Sequence, residues 1–307
     1  MVKILKWLSI IASLGMMFVL IGGSLVTKTD SGMGCGSSWP LCEGQLLPSD
    51  ITPKLIIELA HRFISGIMGF VVLALSILSW IYLGHIREVK FLSFMSSFFL
   101  VLQALLGAAA VIWNQSDFVM ATHFGISLIS FTAVFLLMLL IFEIDTKFDA
   151  KTLIIQKKHR VELYLLTIYT IAVVYTGALV RHVQASMVCG SWPFCNNQNP
   201  LAFGDYNFYQ WIQMGHRTAA GILFIWTIVF AVRMIRQYRS HRIMNYGWIV
   251  TASLIILQVF FGAMNIFTNI NLVVSLVHSF VISVYFAMLC YFIILSTRSA
   301  KHEKGNG

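Results

Sequence analysis

Four of the nine histidines in this chain, His61, His123, His216 and His278, fall inside long apolar stretches. An ionisable ring is expensive there and is read as functional by default. If each stretch is a helix, all four rings lie one to two turns in from the same end, about 8 to 10 Å at the usual helical rise. A single membrane histidine can simply hydrogen-bond across helices and bind nothing. Four at matched depth form two pairs, and a pair of imidazoles facing across a bundle is the donor set that grips an iron between axial nitrogens, with a flat macrocycle filling the interior. Zinc fits less well, because no third or fourth Cys, Asp or Glu ligand accompanies either pair at that depth. The other five, His85, His159, His182, His241 and His302, fall in loops, tails or helix ends, where solvated roles are expected.

Glu58 precedes His61 by three residues, so carboxylate and imidazole share a helix face; Gln213 stands at the same place before His216. Only the first half has an acid there. Held against an apolar pocket, the acid would have a raised pKa and could move a proton. Exposed in the first helical turn, it would only be favoured by the helix dipole. Arg62 and Arg217 follow the two histidines and suit either haem propionates or lipid headgroups. Phe63, Phe124 and Phe280 suit a porphyrin or ordinary packing equally.

The elements that must position these residues are membrane spans. The chain has 307 residues, 58% hydrophobic and 11% charged, with a mean hydropathy of +0.82. At roughly 20 apolar residues per span there is room for about eight and no sizeable soluble domain. Spans are expected at 7–27, 55–83, 91–113, 119–143, 161–181, 208–236, 246–268 and 273–297. The formal charge of +9 comes from cations grouped in alternate loops: Arg87 and Lys90, then Lys147, Lys151, Lys157, Lys158 and Arg160, then Arg239 and Arg242, then Arg298, Lys301 and Lys304 of the tail. The positive-inside rule places these loops and both termini in the cytoplasm of a multi-pass plasma-membrane protein, and leaves no call for nucleic acid as a partner beside membrane lipid. The run Trp7 to Val26 could pass for a signal peptide but lacks a convincing cleavage site, so a retained first span is expected.

In this topology Cys35 with Cys42, and Cys189 with Cys195, lie in short loops on the oxidising side. Intraloop disulfides Cys35–Cys42 and Cys189–Cys195 are expected, either fixing the loops or, in the first pair, cycling during turnover. Cys290 lies in an apolar run and reads as packing.

The two halves repeat. His61-Arg62 and Gly66 match His216-Arg217 and Gly221; Gln103 and Gly107-Ala108 match Gln258 and Gly262-Ala263; His123 matches His278, every pair 155 residues apart. Upstream, with a small slip, Gly23-Ser24-Leu25-Val26 matches Gly177-Ala178-Leu179-Val180, and Ser38-Trp39-Pro40-Leu41-Cys42 matches Ser191-Trp192-Pro193-Phe194-Cys195. Four spans per unit make both halves enter from the same side. The expected fold is an all-α membrane protein of eight transmembrane helices, built as two tandem parallel four-helix-bundle repeats over 1–150 and 151–307.

The stretches Gly22 to Thr29, Gly34-Cys35-Gly36 to Trp39-Pro40-Leu41-Cys42, Glu58, His61-Arg62, Gln103 to Gly107, His123-Phe124-Gly125, Gly215-His216-Arg217 and His278-Ser279 resemble bacterial haem A synthases along essentially the whole chain. Cysteine pairs in both halves resemble the Gram-positive versions. The resemblance implies an oxidoreductase acting on a CH3 group: two successive hydroxylations of the haem O C8 methyl, then water loss to the formyl of haem A used by a terminal oxidase. It implies that His61 and His123 hold the substrate haem O, that His216 and His278 hold a haem b cofactor, and that Glu58 is the catalytic acid. Haem O synthase (a protohaem farnesyltransferase) and an unidentified electron-transfer protein follow as partners. A di-haem b electron-transfer cytochrome and a haem carrier or transporter compete, and the lone Glu58 argues mildly against both.

Overall fold

The computed structural model describes residues 1–46, 48–86, 88–113, 116–147, 153–196, 198–199 and 203–305. The helices are α1 (Val2–Lys28), α2 (Pro53–Leu83), α3 (Val89–Ile112), α4 (Asp117–Ile141), the single turn α5 (Ile144–Lys147), α6 (Lys157–His182), α7 (Phe208–Gln237), α8 (Arg242–Phe267) and α9 (Leu272–Gly305). All except α5 contain a stretch long and apolar enough to cross a membrane, which gives the eight expected spans. Among the described residues the only strand-like pairing is one isolated bridge, Cys42 with Gln45.

The chain forms two compact units, Met1–Glu143 and Ile144–Gly307. In unit 1, α1 packs on α2 and α4, α2 on α3, and α3 on α4; in unit 2, α6 packs on α7 and α9, α7 on α8, and α8 on α9. Each unit is therefore a closed ring of four helices in which α2 and α4, or α7 and α9, stand diagonally. The boundary expected between 150 and 151 lies outside the described residues, as do Arg87 and Lys151.

Several helices overrun the apolar spans at the end opposite the cysteine loops. α1 begins at Val2, α6 at Lys157 and α8 at Arg242, and α9 runs on to Gly305. Hydropathy marks only the stretch that hydrocarbon tolerates; backbone hydrogen bonding continues the helix into polar residues for another turn. α4 instead stops at Ile141, and Glu143 adopts a left-handed φ of 54° just before the α5 turn.

With lipid on the outside there is no hydrophobic drive to bring helices together, so close packing and hydrogen bonds hold each ring. In unit 2 the centre is aromatic. Trp248, fully buried, stacks on Phe292 with centroids 4.4 Å apart and meets Phe230 edge-on at 5.0 Å. Gly247 makes this possible, since a Cβ there would lie 2.7 Å from Phe292 Cζ. Thr167, Thr170, Thr227 and Thr251 satisfy their hydroxyls on the carbonyls four residues back, and Thr227 also bonds Tyr285 Oη at 2.6 Å.

One sequence expectation is corrected here. His159 is not solvated: it is buried, its Nδ1 lies 3.0 Å from Tyr238 Oη, and the same oxygen accepts from Gln156 N at 2.9 Å. A helix N-terminus leaves donors unsatisfied, and a neighbouring helix supplies the acceptor that brings this end of α6 inside. Trp248→Ala should remove the hub of the aromatic stack and destabilise the protein by about 3–5 kcal/mol, measured as a lowered unfolding midpoint in detergent.

Candidate functional site

The helices that carry the candidate residues start from matched caps. Thr52 Oγ1 accepts from Leu55 N at 3.2 Å with Pro53 in the first turn, while Asn207 and Gln210 form a reciprocal capping box. Caps of this kind fix where a helix begins and hence which residues share a face. Glu58, His61 and Arg62 consequently recur on one face of α2 as Gln213, His216 and Arg217 do on α7.

Each imidazole rests on a glycine of the neighbouring helix. A Cβ on Gly22 of α1 would come 3.0 Å from His61 Nδ1, and one on Gly107 of α3 would come 3.3 Å from His123 Cε1. Unit 2 repeats the arrangement, with Gly177 of α6 at 3.0 Å from His216 Cε1 and Gly262 of α8 at 3.3 Å from His278 Cε1. These are tighter than ordinary Cβ contacts, so a residue with a side chain would require the ring to give by a few tenths of an ångström. His61 and His123 lie within electrostatic range of each other. His216 Nδ1 is 2.9 Å from Thr176 Oγ1, and His278 Nε2 faces the Gln258 carboxamide nitrogen at 3.1 Å. His123 Nδ1, the Gln103 carboxamide oxygen and the Gln258 carboxamide oxygen are buried and have no hydrogen-bond partner.

Above the histidines, each cysteine loop is latched onto its helix. Glu58 is 3% exposed; its Oε2 accepts from Cys35 N at 2.8 Å, and its Oε1 pairs with Arg62 Nη2 at 2.5 Å. Arg62 Nη1 donates to the carbonyls of Ser38 at 2.9 Å, Leu41 at 3.2 Å and Pro40 at 3.4 Å. In unit 2, Gln213 Oε1 accepts from Cys189 N at 2.8 Å and its Nε2 donates to Ser186 O at 2.7 Å. Arg217 donates to the carbonyls of Ser191, Pro193, Phe194 and Cys189. Disulfides Cys35–Cys42 and Cys189–Cys195 close the two loops, and both contain a cis Trp-Pro bond, Trp39–Pro40 and Trp192–Pro193. The first loop then reverses through Glu43 and Gly44, with φ of 52° and 78°, the left-handed pair that a tight hairpin requires.

Glu58 is therefore neither exposed nor set against a bare apolar wall: it is a buried ion pair and a loop acceptor at once. Arg62 and Arg217 face loop carbonyls, so a haem propionate would share these donors with the loops. Phe63 is 68% exposed, on the outside of its bundle. The glycine seats, Thr176 and the two glutamine side chains carry no chemical signature of their own. The glutamines and Gly107 with Gly262 were visible only as members of the 155-residue offset, and Thr176 has no counterpart that would have singled it out.

The donor chemistry fits a haem in each unit. The imidazoles of each unit come from diagonal helices, and His123 keeps a buried ring nitrogen unused. Among the described residues no cluster of three or more His, Cys, Asp or Glu is placed to cage a bare ion. Two imidazoles complete a coordination shell only when a macrocycle supplies the other donors.

Fold and site together define a polytopic membrane protein with a duplicated pair of intramembrane histidines under disulfide-closed loops. The sequence profile described as cytochrome oxidase assembly protein matches residues 6–290, and the chain belongs to that family. A protein named heme A synthase from Lysinibacillus sphaericus is 50% identical over 302 residues, covering 98% of each chain. Those of the same name from Oceanobacillus iheyensis and Geobacillus kaustophilus are each 52% identical, over 99% and 98% of this chain and 98% and 94% of their own.

The unit 2 latch shows that an amide oxygen serves the cysteine N–H as well as a carboxylate does. Glu58→Gln should therefore leave the reduction rate of Cys35–Cys42 by a membrane-impermeant phosphine close to normal, whereas Glu58→Leu, which removes the acceptor, should speed it several-fold; equal rates in the two variants would show that Glu58 does not hold the loop.

Proposed function

We propose that this protein is a haem A synthase, an oxidoreductase that converts the C8 methyl of haem O to the formyl of haem A by two successive hydroxylations and loss of water. What carries the reading is the duplicated imidazole pair in a chain about half identical, end to end, to proteins named heme A synthase. In this reading His61 and His123 hold substrate haem O within residues 1–150, and His216 and His278 hold haem b within 151–307. A bound haem supplies an iron that can change oxidation state. The chain itself orients and protects. The glycine seats fix the ring planes, Thr176 fixes the tautomer of His216, and the latched loops cover the histidine level and exclude water.

Glu58 is the residue proposed to move a proton, since its counterpart Gln213 cannot. Arg62 and Arg217 are proposed to extend a donor to the propionates alongside the loop carbonyls. The protein is placed in the plasma membrane with both termini cytoplasmic and the cysteine loops outside, taking haem O from haem O synthase and exchanging electrons with a partner protein. One observation favours a second reading: Gln213 bonds Cys189 N as Glu58 bonds Cys35 N, so the acid also has a purely structural use, as a di-haem b cytochrome would require.

Expression with a source of haem O, followed by extraction and chromatography, separates the readings. Haem A supports the synthase, two non-exchanging haems b the cytochrome, and unaltered haem O a carrier. Glu58→Gln, which keeps the loop acceptor, is expected to retain haem b and abolish haem A formation; normal haem A in membranes of that variant defeats the proposed role. His216→Ala is expected to lose the resident haem b spectrum, and an unchanged spectrum overturns the assignment of that site.

A further inference from the structure

A cavity of about 370 Å³ opens in unit 2 between the start of α6 and the end of α7, at the end opposite the cysteine loops. Lys158, His159, Glu162, Arg233, Arg236 and Gln237 line it. Its size falls within the range of small-molecule sites, roughly 300–1,000 Å³. Besides the buried His159 it holds three cations against one carboxylate, and that carboxylate is already engaged. Glu162 Oε2 accepts from Arg233 Nη1 at 3.0 Å, while its Oε1 pairs with Arg233 Nη2 and accepts from Trp226 Nε1 at 3.0 Å. The Arg233 fork is thereby fixed, and its guanidinium also lies 5.6 Å from the centroid of the Phe230 ring. Among the described residues, the Lys158 and Arg236 side chains make no salt bridge or hydrogen bond, so the cavity keeps a surplus of two positive charges.

Cations at such a helix end are ordinarily a topology signal. The repeat separates that role from this one. Shifted by 154 residues, every buried residue of α6 falls on a buried residue of α1, from His159 on Leu5 to Val180 on Val26. In that register Lys157 and Arg160 fall on Lys3 and Lys6, so both units keep the cations that orient their first helix. The cavity residues behave differently. Lys158, His159 and Glu162 fall on Ile4, Leu5 and Leu8, and at the 155-residue offset Arg233, Arg236 and Gln237 fall on Leu78, Ile81 and Tyr82. Trp226, which anchors Glu162, falls on Val71. Unit 1 closes the same ring of helices without a charge at any of these places, so neither topology nor packing calls for the cluster in unit 2.

The same two helices show what adjoins the cavity. Val161, Leu165 and Ile168 of α6 and Ile225, Val229 and Val232 of α7 are each at least 42% exposed. In a membrane-spanning segment such side chains meet acyl chains. A ligand seated here therefore meets cations at one end and hydrocarbon at the other. Arginine offers phosphate oxygens a planar fork and lysine a point charge, and a basic pocket between transmembrane helices suits a lipid headgroup. We propose that this cavity binds the phosphate of one anionic phospholipid, with Lys158 and Arg236 supplying the free positive charge and the acyl chains lying along Leu165 and Val229. Gln237 adds a neutral donor suited to headgroup hydroxyls. A zwitterionic headgroup would bring its own ammonium into a site that already has a cation surplus, so like-charge repulsion disfavours it.

The test is native mass spectrometry of the full-length protein released from mixed micelles that contain phosphatidylglycerol or phosphatidylcholine with the same acyl chains. One phosphatidylglycerol per chain is expected to survive release at collision energies that strip phosphatidylcholine. Lys158→Gln with Arg236→Gln leaves Glu162, Arg233 and Trp226 in place, and is expected to cut the retained fraction several-fold. Lys157→Gln with Arg239→Gln, which removes the same charge outside the cavity, should leave it unchanged. Equal retention of the two lipids by the parent protein, or an equal loss in the two double variants, overturns the proposal. So does displacement of the retained lipid by millimolar inorganic phosphate, which would make the ligand a soluble anion.

Discussion

An imidazole inside a membrane bundle needs a place to lie, and in this protein that place is always the bare backbone of an adjacent glycine. Gly22, Gly107, Gly177 and Gly262 each take one ring so closely that a methyl group in their place would fit only if the ring gave by a few tenths of an ångström. The helix pairs that make these contacts, α1 with α2, α3 with α4, α6 with α7 and α8 with α9, are neighbours in their rings. The seats therefore tie the depth and orientation of every histidine to the packing of two helices. The register of each helix pair and the position of its histidine are thus linked.

The loops impose a second constraint from above. Glu58 and Gln213 fill the same slot with different chemistry, each accepting from the first cysteine of its loop, while Arg62 and Arg217 gather the carbonyls on the far side. A buried carboxylate needs a charge partner and Arg62 is that partner; the neutral Gln213 needs none, and Arg217 spends the freed donor on Cys189 O at 3.2 Å. Duplication has kept the architecture of the latch while leaving the ionisation of one position free to diverge.

Most of the fold was legible in the sequence because hydropathy and repetition are both carried by many residues. The eight spans, their grouping in fours and the cysteine pairing could be read from apolar runs, an unbroken offset and short loops. The helix ends were less legible, because the extra turns of α1, α6 and α9 carry charged residues that interrupt the apolar runs. At the candidate site, the histidines, Glu58 and the arginines announced themselves by type, but their partners did not. Glycine seats look like any other glycine, and the acceptors of Arg62 are main-chain carbonyls that no side chain advertises. His159 was misread because a histidine at a helix start gives no sign that Tyr238, 79 residues away, will cover it.

The ring arrangement of each unit bears on how the protein is made. The principal packing contacts in Met1–Glu143 are between consecutive helices, together with the one that brings α4 back to α1. A ribosome threading this chain into the bilayer delivers α4 before any helix of the second unit exists. The first ring can thus shut on itself, with its cysteine loop latched, while α6 to α9 are still untranslated. The second ring then repeats the same order of insertion without having to displace anything already assembled, so a duplicated gene product of this kind needs no new rule for its biogenesis.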